Sequence, residues 1–161
     1  TYPQLYTNIQ TAFPDTRKRQ HEAPKVNITN FKYIPFQTKN TLQIKATAVS
    51  GGNQYSPMIQ FSNVNYNTGG RGVTFTAVDG SEYTIKPIQL SQTTVKVRCD
   101  CLDFHYRFAT WNYNDGSLIG KPPPLNRKKT NRPPVNPAQV PGLCKHLVKF
   151  FTVLRRYRIV T

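Results

Sequence analysis

Between residues 26 and 99 apolar side chains recur at every second position. Val26 and Ile28 alternate with polar neighbours, and Phe31, Tyr33 and Phe36 make a second short stretch. Leu42, Ile44, Ala46 and Ala48 hold a strict period of two, which Ile59 and Phe61 repeat before Val64 and Tyr66. Val73, Phe75 and Ala77 run into the turn pair Asp79-Gly80, and Tyr83 and Ile85 leave it, which predicts a hairpin. Val95, Val97 and Cys99 close the series. Strand side chains alternate between faces, so this is the pattern of strands buried on one side. Five to seven such strands predict an antiparallel β-sandwich or barrel. The run Gly69-Gly70-Arg71-Gly72 lacks the trailing Lys-Ser/Thr and the helix of a phosphate loop, and reads as a turn.

Two segments leave the β rhythm. Over Asp103–Asn112, Phe104, Phe108 and Trp111 fall at i, i+4 and i+7, one face of a short helix. Over Leu143–Tyr157, Leu143, Leu147, Phe150, Phe151 and Leu154 form another, with Lys149, Arg155 and Arg156 outside it. Between them, residues 121–141 hold seven prolines, which exclude helix and central strand and favour an extended strap. Residues 1–25 read as a partly ordered N-terminal arm, or alternatively as one that orders on a neighbouring subunit with Tyr2, Leu5, Tyr6, Ile9 and Phe13 as anchors. The reading is a β-rich α+β chain: an arm over 1–25, an antiparallel β module over 26–99, and a C-terminal module over 99–161 containing the strap.

Composition narrows the chemistry. Of 161 residues, 37% are hydrophobic and 18% charged, while aromatics at 12% are too many for a disordered chain. No apolar run is long enough for a membrane span and the first residues do not pattern as a signal peptide, so a soluble protein is expected. Lys plus Arg number 22 against seven acids, a formal charge of +15. That balance favours an anionic partner. Paired-carboxylate chemistry would have to come from Asp15, Asp79, Asp100, Asp103, Asp115, Glu22 and Glu82, which disfavours glycosidase and two-metal mechanisms.

Three cysteines make an odd count, unlike a closed disulfide framework and suited to a reducing compartment. Their placement is informative. Cys99-Asp100-Cys101 ends the last strand and Cys144-Lys145-His146 begins the last helix, so every cysteine joins one histidine in a Cys₃His set. Thiolate and imidazole donors suit zinc, with iron the alternative, and reject Mg²⁺ and Ca²⁺. Cysteines one residue apart can chelate only where the strand ends irregularly. Cys144 and His146 converge only if one of them is non-helical, and Pro141-Gly142 supplies the break. Four ligands leave no open position, so the site reads as structural and ties the β module to the last helix. His105, four residues after Cys101, could compete as a ligand but fits better as an ordinary helix residue. His21 carries no signal.

Cys-x-Cys followed at a distance by Cys-x-His resembles the SWIM zinc-binding motif of transposases, kinases and chromatin proteins. The resemblance implies zinc on Cys99, Cys101, Cys144 and His146, although the gap here is longer because the strap is inserted. The wider run VRCDCLDFHYRFATWNYNDGSLIGKPPP…RKKTNRPPVNPAQVPGLCKHL is similar to small virion structural proteins of tailed bacteriophages, over roughly residues 40–155. That likeness implies a scaffold component of a particle, located in the virion and assembled in the host cytoplasm. It does not distinguish capsid, neck, tail or baseplate.

After Asp115 there is no acid, while ten basic residues follow in the last 46, among them Arg127, Lys128, Lys129, Arg132, Arg155 and Arg156. These are the candidate partner-binding residues, for other virion proteins first and nucleic acid second. Between 112 and 149 Tyr113 is the only aromatic besides His146, which disfavours base stacking. Nothing suggests a membrane or a small-molecule substrate. Ligation would consume the thiols that a cysteine nucleophile needs, so no enzymatic activity is expected. The leading expectation is a non-enzymatic assembly protein with structural zinc; the alternative is a SWIM-type nucleic-acid-binding protein.

Overall fold

The computed structural model describes residues 1–13, 22–124 and 134–161. In chain order the elements are α1 (Tyr2–Ala12), β1 (Asn27–Phe36), β2 (Thr41–Ser50), β3 (Asn53–Tyr55), β4 (Met58–Phe61), β5 (Val73–Thr76), β6 (Glu82–Ile85), β7 (Val95–Arg98), α2 (Ala109–Asp115) and α3 (Lys145–Arg156).

The period-two segments pair as antiparallel strands in the order β1-β2-β4-β7, with β3 folding back on the end of β2. Their register stacks the apolar positions into cross-strand rows on one face. Tyr33, Ile44, Ile59 and Val97 form one row, and Pro35, Leu42, Phe61 and Val95 the next. Ile28 lies on the same face five residues before Tyr33, an odd spacing that a regular strand forbids. A β-bulge between Thr29 and Lys32, with Asn30 at φ 55°, supplies the extra residue. The two stretches read in the sequence are therefore one strand.

The strand order is linear, so the main sheet is open where a barrel or sandwich was expected. The β5–β6 hairpin is a separate two-stranded sheet turned at Asp79-Gly80, and it meets the edge of β1 where Val78 N–H bonds Tyr33 O. The layer over the apolar face is helical. Phe61 meets Phe151 and Phe31 meets Phe150, which seats α3 on the sheet. The far edge is covered too, since Val97 exchanges backbone hydrogen bonds with Ser117 and Ile119.

The N-terminal residues depart from the expected arm. Residues 2–12 form α1, and Leu5 and Ile9, one turn apart, are buried in this chain's own core, with Tyr2 against Phe151 and Phe13 against Phe108. Their spacing is that of an amphipathic helix, and the core of the same chain supplies its partner. Residues 14–21, including Pro14, Arg17, Lys18, Arg19 and His21, lie outside the described residues. Among the described residues no helix is long and apolar enough to cross a membrane.

Leu5 is 1% exposed. Leu5→Ala is therefore expected to cost about 2–4 kcal/mol in a urea unfolding experiment, the usual penalty for emptying a core leucine site. A loss below 0.5 kcal/mol would show that α1 is not part of the core.

Candidate metal centre

β7 ends at Arg98, and the chain leaves the sheet at once. Cys99 continues the inward alternation of Val95 and Val97, and the bend that follows turns Cys101 inward as well. Asp100 between them points out and accepts the Ser56 N–H at 2.8 Å, which fixes the bend against the β3–β4 connection. After Cys101 the chain winds on: His105 N–H bonds Cys101 O, and Phe104 N–H donates to Cys101 Sγ at 3.4 Å.

Cys144 is the N-cap of α3, with φ −80° and ψ 170°, and Lys145 and His146 open the helix. That single extended residue lets Cys144 and His146 face one point, as the Pro141-Gly142 break predicted. The first turn of α3 also directs the positive end of its dipole at the sulfurs, which favours thiolates.

The sequence reading missed what positions this second half. Phe104–Phe108 is a π-helical turn, in which Ala109 N–H bonds Phe104 O, and it adds one residue before α2. The inward face consequently runs through Phe104, Phe108 and Asn112, and Trp111, expected there, is half-buried. Asn112 is fully buried and clamps Gly142 from both sides: its Nδ2 donates to Gly142 O at 3.1 Å, and Gly142 N–H donates to its Oδ1 at 2.9 Å. A Cβ on Gly142 would lie 2.5 Å from Phe108 Cε1 and 2.8 Å from Ile9 Cγ2, so only glycine fits. Asn8 Nδ2 donates to Pro141 O, and buried Asn136 donates to Arg107 O and Val140 O. Three asparagines thus hold the approach to Cys144. An amide at an otherwise apolar helix position was the available signal, hidden by the one-residue phase shift.

The ligand atoms of Cys99, Cys101, Cys144 and His146 all lie within 4.8 Å of one another, and the four residues are 0–3% exposed. His146 Nδ1 is 3.8 Å from both Cys99 Sγ and Cys144 Sγ. Its ring packs on Tyr55 with centroids 4.3 Å apart, and its Nε2 is buried without a hydrogen-bond partner among the described residues. An unpartnered buried polar atom costs about 1–3 kcal/mol. The imidazole is placed for what its Nδ1 can bond, and the four residues could hold a metal ion. His105 is not in the cluster; it lies half-buried with its ring edge against Tyr106.

The thiols are unequal. Hydrogen bonding to Cys101, with burial added, holds the Cys99 thiol up, and burial pushes the Cys144 thiol well up. Cys101 is pulled down because it accepts from Cys144 and then Cys99.

Of the basic candidates, Arg155 and Arg156 are exposed on α3, and Arg127, Lys128, Lys129 and Arg132 lie outside the described residues. Two other cations of this half are used internally. Lys145 pairs with Glu22 at 3.1 Å and Lys149 donates to Pro24 O at 3.2 Å, binding the segment before β1 onto α3. Comparison with known protein-family models, curated proteins and solved structures found no match to this chain.

Two outcomes are expected. Asn112→Ala leaves the Gly142 backbone groups buried and unbonded, so it is expected to cost about 2–4 kcal/mol in stability and to weaken metal binding by about 10–100-fold in a chelator competition. Unchanged affinity would show that the clamp does not position Cys144. Metal binding must also expel the protons held on Cys99 and Cys144, whose raised values favour the thiol. Affinity is therefore expected to tighten as pH rises, by up to roughly 100-fold per unit for two protons, between pH 6 and 8; a flat profile would contradict this.

Proposed function

We propose that the protein is a non-enzymatic structural component of a tailed-phage particle whose C-terminal helix is stapled to its β module by one zinc ion. The observation that carries the zinc reading is the burial of three sulfurs and one imidazole nitrogen around a single point. Tetrahedral zinc, with Zn–S near 2.3 Å and Zn–N near 2.0 Å, sets sulfur and nitrogen about 3.6 Å apart. The two 3.8 Å separations need only a slight contraction to meet that value. Four protein donors leave no position for a substrate or an activated water, which supports a structural role.

The particle assignment rests on the resemblance of the VRCDCLDF and RPPVNPAQVPGLCKHL segments to virion proteins. Its partners would be other subunits, met through the Pro-rich strap and the exposed basic residues Arg155 and Arg156. The N-terminal segment has a smaller part in this proposal than the sequence suggested, since α1 is buried on its own chain. A second reading, nucleic-acid binding by the basic C-terminal region, is favoured by the exposure of Arg155 and Arg156.

Elemental analysis of purified protein is expected to find one zinc per chain, and Cys144→Ala to lose it and lower the melting temperature on the order of 10 °C. A metal-free wild type, or an unchanged melting temperature in the variant, would refute the staple. Mass spectrometry of purified particles tests the assembly role separately: the chain is expected there in multiple copies, and its presence only in the soluble host lysate would refute it.

A further inference from the structure

The register that buries one face of the main sheet sends the intervening positions to the other. There the rows read Lys32, Lys45, Met58, Arg98 and, beside it, Ile34, Gln43, Gln60, Lys96. Four cations and no carboxylate occupy these eight positions. Lys32 stands directly opposite Lys45, an arrangement that like-charge repulsion disfavours in a cross-strand pair.

Among the described residues no carboxylate is paired with this surface. None of the four cations lies within ion-pair distance of a carboxylate among the described residues, where the ion pairs are Arg107–Asp103 and Lys145–Glu22. Asp100, two residues beyond Arg98, accepts the Ser56 N–H and pairs with none of the four cations. Arg98 is held outward by two backbone carbonyls, those of Ile119 at 2.7 Å and Lys121 at 2.8 Å, which orient its guanidinium without cancelling its charge. Lys32 and Lys45 are exposed, and Arg98 and Lys96 half-buried.

We propose that this outer sheet face binds the phosphodiester backbone of nucleic acid. Neighbouring strands lie about 5 Å apart, so the Lys32-to-Arg98 row crosses about 15 Å of surface. Duplex DNA presents one negative charge per roughly 1.7 Å of its axis over such a length. The competing occupant, an acidic protein face, fits less well. Protein interfaces are depleted of lysine at their centres, whereas nucleic-acid interfaces are polar and strongly positive. Gln60 supplies a neutral donor beside the cations, as phosphate contacts use, while Gln43 Nε2 donates to Met58 Sδ on the same face. The inference depends neither on the metal nor on the particle assignment, and it locates binding away from the C-terminal region.

The test uses fluorescence anisotropy with the full chain and a labelled 20-base-pair duplex of mixed sequence at 50 and 200 mM salt. Lys45→Glu with Lys96→Glu is compared with a control of equal charge change, Lys25→Glu with Lys86→Glu, both controls lying off this face and exposed. Matched thermal melts verify that all three proteins fold. The face variant is expected to weaken binding at least tenfold and to lower the log–log salt slope by about two, while the control changes affinity less than threefold. Equal losses in both variants, no binding by the wild type at 50 mM salt, or tighter binding to poly-glutamate than to DNA would each overturn the proposal.

Discussion

Four donor atoms can share one ion only if two chain segments separated by 42 residues are brought to the same place and kept there. Closing a loop of that length costs about 3 kcal/mol in chain entropy beyond a constant term, before any side chain is ordered. The protein meets that cost in two stages. Amide side chains from α1, α2 and the loop itself seat residues 136–142, and Gly142 makes room for them by having no side chain. The N-cap geometry of Cys144 then converts the end of that seated loop into a ligand-bearing helix start. The cysteines are the visible part of the site, and the asparagines are what make its geometry reproducible.

Much of this was legible in the amino-acid sequence where the chemistry is local. The strict alternation of Leu42, Ile44, Ala46 and Ala48 specifies a buried strand face, and Asp79-Gly80 specifies a hairpin turn. The Cys-x-Cys and Cys-x-His pairs contain all three thiols, so they marked the cluster without any knowledge of the fold. Other features depend on relations that pattern reading cannot supply. The bulge at Asn30 split one strand into two apparent stretches. Helices cover the apolar face of the open main sheet, and no periodicity within a strand reveals what lies above it. Tyr2, Leu5 and Ile9 were recognised as anchors, but their partner is the core of the same molecule, because helical spacing shows that a face must be buried and not where.

Charge is distributed by a similar division of labour. Lys145 and Lys149 look in sequence like members of a basic tail, yet both are tied to the segment just before β1. Lys32, Lys45, Lys96 and Arg98 are scattered over 67 residues of sequence and attract no attention there, yet strand register collects them on one surface. A count of basic residues along the chain therefore misplaces the positive potential, since pairing between strands decides where like charges accumulate.

The π-helical turn at Phe104–Phe108 sets the angular phase of the helix that follows it. Successive α-helical residues are rotated by about 100°, so a single added residue carries everything beyond it around the axis by that angle. Phe104 and Phe108 read the core in one phase and Asn112 in the shifted one. Wound as a regular α-helix with no residue lost, the same segment would turn the indole of Trp111 toward the space that now holds an amide clamp, whereas removing one residue together with the π turn would leave Asn112 facing inward. In this protein loss of the π turn at unchanged chain length is thus a change of angular setting transmitted to Gly142, and through it to the metal ligands two and four residues further on.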